Sequence, residues 1–112
     1  MAHYTLTARI RGKVERERFD DLDDALRALE RRGHALQGRA DADVVGGSLM
    51  RRFEPEDQVT ARLEVRGPGG LHLGVDVRGD GSAVPFTGRL LRKPVERAAE
   101  ESAYDALRRA AR

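Results

Sequence analysis

Cysteine and tryptophan are absent from this 112-residue chain, and lysine occurs only twice. Without cysteine there is no disulfide, no thiolate nucleophile and no thiolate-ligated metal, and the chain suits a reducing compartment, the cytoplasm. Aromatic residues make up only 4%: Tyr4, Phe19, Phe53, Phe86 and Tyr104. That is thin material for the row of stacking platforms that single-strand nucleic-acid binders use. No apolar run approaches the roughly 20 residues that a membrane helix needs. The opening MAHYTLTARI alternates and has no apolar signal-peptide core, so no membrane is expected. A large charge of one sign is also missing, because the net charge is only +2. Residues 1–56 hold 11 basic and 11 acidic groups, and residues 57–112 hold 10 and 8, so neither half is a basic arm.

Arginine is plentiful, at 19 residues against 2 lysines. Arginine suits bidentate anion binding, though the codon usage of a GC-rich genome gives the same skew. Apolar residues are 39% and charged residues 36%, which implies one thin core under a densely charged surface. The length suits a single domain spanning 1–112.

Periodicity supplies the elements. Tyr4, Leu6, Ala8 and Ile10 alternate with Thr5, Thr7 and Arg9, the pattern of a half-buried strand. Gly12 and Lys13 suggest a reversal into Val14–Phe19, whose charges suit a sheet edge. A helix follows, capped by Asp20 or Asp21. Leu22, Ala25, Leu26, Leu29 and Leu36 form its apolar stripe, Asp23 pairs with Arg27, and it ends at Gly33 or near Gly38. Residues 39–47 read as a loop with a glycine joint, Leu49–Phe53 as a short strand, and Pro55 as a break.

The stretch 58–93 alternates cleanly. Val59, Ala61, Leu63 and Val65 define one strand face; Leu71, Leu73, Val75 and Val77 define the next; Val84, Phe86 and Leu90 continue it. A three-residue Pro68-Gly69-Gly70 loop aligns Val65 with Leu73, Leu63 with Val75 and Ala61 with Val77. It also sets Arg62 opposite Asp76. A two-residue type I′ turn at Asp80-Gly81 pairs Val77 with Val84 and Val75 with Phe86. The C-terminal helix starts near Pro94, or after a Ser102 cap with Asp105 three residues on.

These pieces predict an α+β, two-layer fold in the order β-β-α-β-β-β-β-α. An antiparallel β-sheet of about 5-6 strands carries two helices packed on one face.

Motifs with chemistry attached resolve into structural features. Arg78-Gly79-Asp80 is read as a turn and not an integrin ligand. As a calcium loop it fails, since Arg78 stands where an oxygen ligand is needed. His3, His34 and His72 show no metal spacing, and the serines lie in no nucleophile elbow. No catalytic constellation, metal or other cofactor is implied, so a non-enzymatic domain is expected. The candidate anion or partner surface is the outer sheet face, with Arg62, Arg66, His72, Arg78 and Arg89, on which this register leaves no aromatic ring. Arg66 and Arg89 are expected beside His72. The thin core and the one open sheet face favour protein-protein contacts, including a homo-oligomer, with a low-specificity electrostatic nucleic-acid binder using the arginine-bearing face as the alternative.

Overall fold

The computed structural model describes residues 3–47, 59–89 and 91–111. Six strands form one antiparallel sheet: β1 (Tyr4–Ile10), β2 (Lys13–Phe19), β3 (Val59–Arg66), β4 (His72–Arg78), β5 (Ala83–Thr87) and β6 (Lys93–Pro94). Helix α1 (Leu22–Gly47) follows β2, and α2 (Ala103–Ala110) follows β6. The spatial order is β2-β1-β3-β4-β5-β6. Both helices cover one face, so the α+β arrangement read from the sequence holds. Leu6, Ala8, Leu63, Val65, Leu73, Val75 and Val77 meet Ala25, Leu26, Ala28, Leu29 and Leu36 of α1, with Ala103, Tyr104 and Leu107 of α2, in one cluster.

Turn chemistry sets the registers. Arg11 and Gly12 both have positive φ, 49° and 83°, and close a two-residue hairpin that pairs Ile10 with Lys13. Type I′ geometry therefore occurs at this turn. Val65 pairs with Leu73, Leu63 with Val75 and Ala61 with Val77, as the three-residue loop requires, with Gly69 and Gly70 at positive φ.

The β4–β5 hairpin differs from expectation by one residue. Val77 pairs with Ala83, Val75 with Pro85 and Leu73 with Thr87. The loop is Gly79-Asp80-Gly81, not a two-residue Asp80-Gly81 turn. Arg78 N–H donates to Ser82 O at 2.9 Å, and Gly81 N–H donates to Arg78 O at 3.0 Å. Only Gly81 needs positive φ (85°). A type I′ turn would force Asp80 there as well, whereas here its carboxylate accepts from Ser82 N at 2.9 Å and Ser82 Oγ at 2.6 Å. A one-residue shift inverts a strand. Ala83 and Pro85 face the helices, while Val84 and Phe86 join the outer face. Phe86 is still only 3% exposed, because it lies over Gly74, its direct partner. A Cβ at Gly74 would come within 2.9 Å of the Phe86 ring. An aromatic covering a strand glycine is a known way to pin register.

Two further readings are corrected. Helix α1 runs for 26 residues and takes in 39–47, which the glycine pair had marked as a loop. Ala40 and Ala42 are strong helix formers, and extending an existing helix needs no new nucleus. Its start is capped by Asp21 Oδ1, which accepts from Asp24 N at 2.8 Å. Arg27 pairs with Asp24 rather than Asp23, at 3.6 Å. The C-terminal helix is the shorter one, with Ser102 Oγ accepting from Asp105 N at 3.0 Å. The Pro94 start is replaced by β6, whose Pro94 pairs with Phe86. Leu49–Phe53, Pro55 and Leu90 lie outside the described residues.

Gly33 stays inside α1 because Tyr104 of α2 needs the space. A Cβ there would sit 2.1 Å from the Tyr104 hydroxyl oxygen. That hydroxyl donates to Gln37 Oε1 at 2.6 Å, and Gln37 Nε2 donates to Gly81 O at 2.8 Å. One polar chain thus ties both helices to the β4–β5 loop. Arg108 reinforces it through Glu30 at 2.6 Å.

Gly33→Ala should therefore destabilise the fold by about 1–3 kcal/mol in urea unfolding, through overpacking. Gly38→Ala, where the new methyl meets open space, should stabilise it by about 1 kcal/mol. Tyr104 gives a pH signature. Burial, aided by the Glu30 charge, raises its phenol from an ordinary 10 to about 12. A raised folded value means that its contribution is whole below pH 10 and is lost as pH rises toward 12. Urea midpoints should fall across that window, and the Tyr104→Phe variant should lack this part of the fall.

Candidate anion site on the outer sheet face

The outer face is ordered in rows set by strand pairing. One row reads Val14, Arg9, Arg62, Asp76, Val84. The next reads Arg16, Thr7, Glu64, Gly74, Phe86. The third reads Arg18, Thr5, Arg66, His72, and Gly88 N donates to His72 O at 2.9 Å beyond it.

Glu64 and His72 form the floor, with side chains 9% and 8% exposed. Their Oε2 and Nε2 atoms lie 2.9 Å apart. His72 Nδ1 lies 3.0 Å from the Gly88 carbonyl oxygen. A carbonyl only accepts, so Nδ1 carries a proton, and the short contact to Glu64 requires another between the two side chains. Both ring nitrogens are engaged. His72, placed on the outer face by alternation, is thus an enclosed strut rather than an open surface side chain.

Above this floor is a depression of about 330 Å³, lined by Thr7, Arg9, Arg16, Glu64, Arg66, His72, Arg89 and Arg92. Five of those are arginines. Gly88, at φ 98°, turns the chain after β5, and a Cβ there would meet the Leu91 carbonyl at 2.5 Å. This turn brings Arg89 and Arg92 back over the sheet. Among the described residues, Arg16, Arg66 and Arg89 have no carboxylate within ion-pair distance, and Arg9 reaches Glu64 only at 3.9 Å.

Three of the expected residues therefore come together: Arg66, His72 and Arg89. Arg62 and Arg78 do not join them. Arg62 is held by Asp76, with Nε–Oδ1 at 2.6 Å and Nη2–Oδ2 at 3.2 Å, and this bonding raises its guanidinium above the ordinary value. Its Cζ also lies 5.8 Å from the centroid of Phe86, and Arg92 Cζ lies 5.7 Å from the same centroid. Arg78 sits at the hairpin end opposite Val59, and its Nε is buried without a partner among the described residues. Sequence reasoning left Arg9, Arg16, Arg92 and Thr7 out of the candidate surface, and it placed Glu64 on this face without its contact to His72. Arg9 and Thr7 were signalled by their alternation on β1. Arg16 needed the register of β2, and Arg92 needed the turn at Gly88.

No family model, no curated protein and no solved structure matches the chain. Fold and site define an α+β sheet-and-helix domain with a cationic basin on its uncovered face. No helix among the described residues is long and apolar enough to cross a membrane, and no three metal-ligating side chains converge there.

Floor and rim should separate in stability measurements. His72→Ala strands the buried Glu64 carboxylate and should cost about 3 kcal/mol. Arg66→Ala and Arg89→Ala remove exposed, mutually repelling charges and should change the urea stability by less than about 0.5 kcal/mol.

Proposed function

We propose that this domain is a non-enzymatic binding module that holds nucleic acid by its phosphates on the outer sheet face. The observation carrying this reading is the convergence of Arg16, Arg66 and Arg89, none with a carboxylate partner among the described residues, at one depression. Clustered guanidinium groups repel one another, and a phosphate relieves that repulsion while accepting their forked donors. Phe86 is buried, so the described face offers no exposed ring for base stacking, and binding should follow the backbone more than the sequence.

The reading through protein contacts, including a second copy, keeps the uncovered sheet face as its support. A second copy on this face would bring arginines against arginines. Pairing along the free edge of β2 meets a similar obstacle. Centred on Arg16, it sets Arg16 against itself and Glu15 against Glu17. Charge therefore favours the nucleic-acid reading.

Fluorescence anisotropy with labelled mixed-sequence RNA and DNA, titrated with salt, tests it. One phosphate contact for each of Arg16, Arg66 and Arg89 on a single strand gives a log–log salt slope of about −2. Arg66→Gln and Arg89→Gln should each flatten that slope by about 0.7, the share of one phosphate contact. Arg27→Gln, on the exposed side of α1, should leave it unchanged. Absence of binding at ~50 mM salt, where phosphate attraction is strongest, ends the reading.

A further inference from the structure

The arginine basin opens directly into a second one. The two share Arg66, His72 and Arg89 as a common wall. The second basin, of about 350 Å³, continues between the start of β1 and the loop joining β3 to β4, where His3, Thr5, Gly67, Gly70 and Leu71 line it. Beyond the shared wall it carries no Asp, Glu, Lys or Arg. A strongly cationic cup thus adjoins a basin without formal charge pairs, with exposed arginines between them.

We infer that this pair of basins takes a nucleotide bearing a terminal phosphate, with the phosphate over Arg16, Arg66 and Arg89 and the nucleoside in the adjoining basin. The inference rests on the reading that this face binds phosphate. An internal phosphodiester has one charge and two non-bridging oxygens. A terminal phosphate has three such oxygens and up to two charges, so it uses convergent forked donors more fully. Five arginines line this one depression, whereas Arg62, in the neighbouring row, is held by Asp76 and does not extend it. A continuous strand is best served by a track of cations along its path. The same chemistry is offered by a free nucleoside monophosphate and by the 5′-phosphorylated end of a strand.

Anisotropy competition with four probes tests this. They are a short DNA strand with a 5′-phosphate, the same strand with a 5′-hydroxyl, a nucleoside 5′-monophosphate, and inorganic phosphate. The phosphorylated strand should bind about tenfold more tightly than the hydroxyl strand. The monophosphate should compete at lower concentration than inorganic phosphate. Arg89→Gln, an exposed change that leaves the floor intact, should abolish the preference for the phosphorylated end. Equal binding of the two strands overturns the terminal-phosphate assignment and leaves the general phosphate reading standing. Inorganic phosphate competing as well as the monophosphate overturns the nucleoside's place in the second basin. Binding of the monophosphate without either strand assigns the site to free nucleotides. Failure of all four probes removes both readings together.

Discussion

The register of β5 against β4 is the constraint on which the rest of the outer face depends. It is fixed at one end by the Gly79-Asp80-Gly81 loop and in the middle by Phe86 lying over Gly74. Beyond Thr87, Gly88 and His72 exchange two hydrogen bonds, one through the backbone and one through the imidazole. These features reinforce one another. With β5 moved by one residue, Phe86 turns toward the helices, Gly74 loses its cover, and Gly88 no longer meets His72. Arg89 and Arg92 would then leave the basin. A loop on one side of the sheet thus decides where arginines stand at its far end, through a period of two that tolerates no partial shift.

The floor of the basin shows how a thin core can support a charged face. Glu64 and His72 are nearly as enclosed as the valines beneath the helices, although they lie on the uncovered side. Buried polar groups persist where their bonds are complete. Each is satisfied here: Glu64 by His72, and His72 by Glu64 and the Gly88 carbonyl. The arginines around them are satisfied least. The bonded floor and the rim of arginines are thus built from different residues.

The two-layer plan was legible in the sequence because alternation on β1, β3 and β4 shows its face directly, and the three-residue loop between β3 and β4 admits only one register. The last hairpin was less legible. Val84, Pro85 and Phe86 are all apolar, so they carry no alternation that distinguishes one face from the other. Asp-Gly is also compatible with either loop length until the bond from Asp80 to Ser82 is known. Glycine misled in the opposite direction on α1. Gly33 reads as a stop, whereas it is the floor of the Tyr104 contact. In the site, Arg66 and His72 followed from strand alternation. Arg89 was expected there from the Asp80-Gly81 register, which the structure replaces, and it reaches the basin through the turn at Gly88 instead. Arg16 and Arg92 depended on an edge register and on that same turn, which local pattern does not encode. Glu64 was visible as an outer-face residue, yet its pairing with His72 arises on the diagonal between strands, beyond direct-partner reasoning.

Net charge conceals the property that the site is built on. Strand β2 shows how. Its arginines and glutamates alternate, so a strand that is nearly neutral in sequence becomes two-sided in space. Glu15 and Glu17 turn inward and hold Arg32 of α1 at 3.0 and 3.2 Å. Arg16 and Arg18 stand on the other side with Thr7 and Thr5. The same sorting runs through the sheet. Its first four strands place six arginines on the outer face against two carboxylates, Glu64 and Asp76, both already engaged. The helical layer keeps acids such as Glu30 and Asp105, with Arg108 between them. A domain of net charge +2 is thus polarised through its thickness, so an approaching anion meets a field set by one face rather than by the total. The alternation that folds the sheet is also what separates the charges, and the outer face is cationic because the core beneath it required every second residue to be apolar.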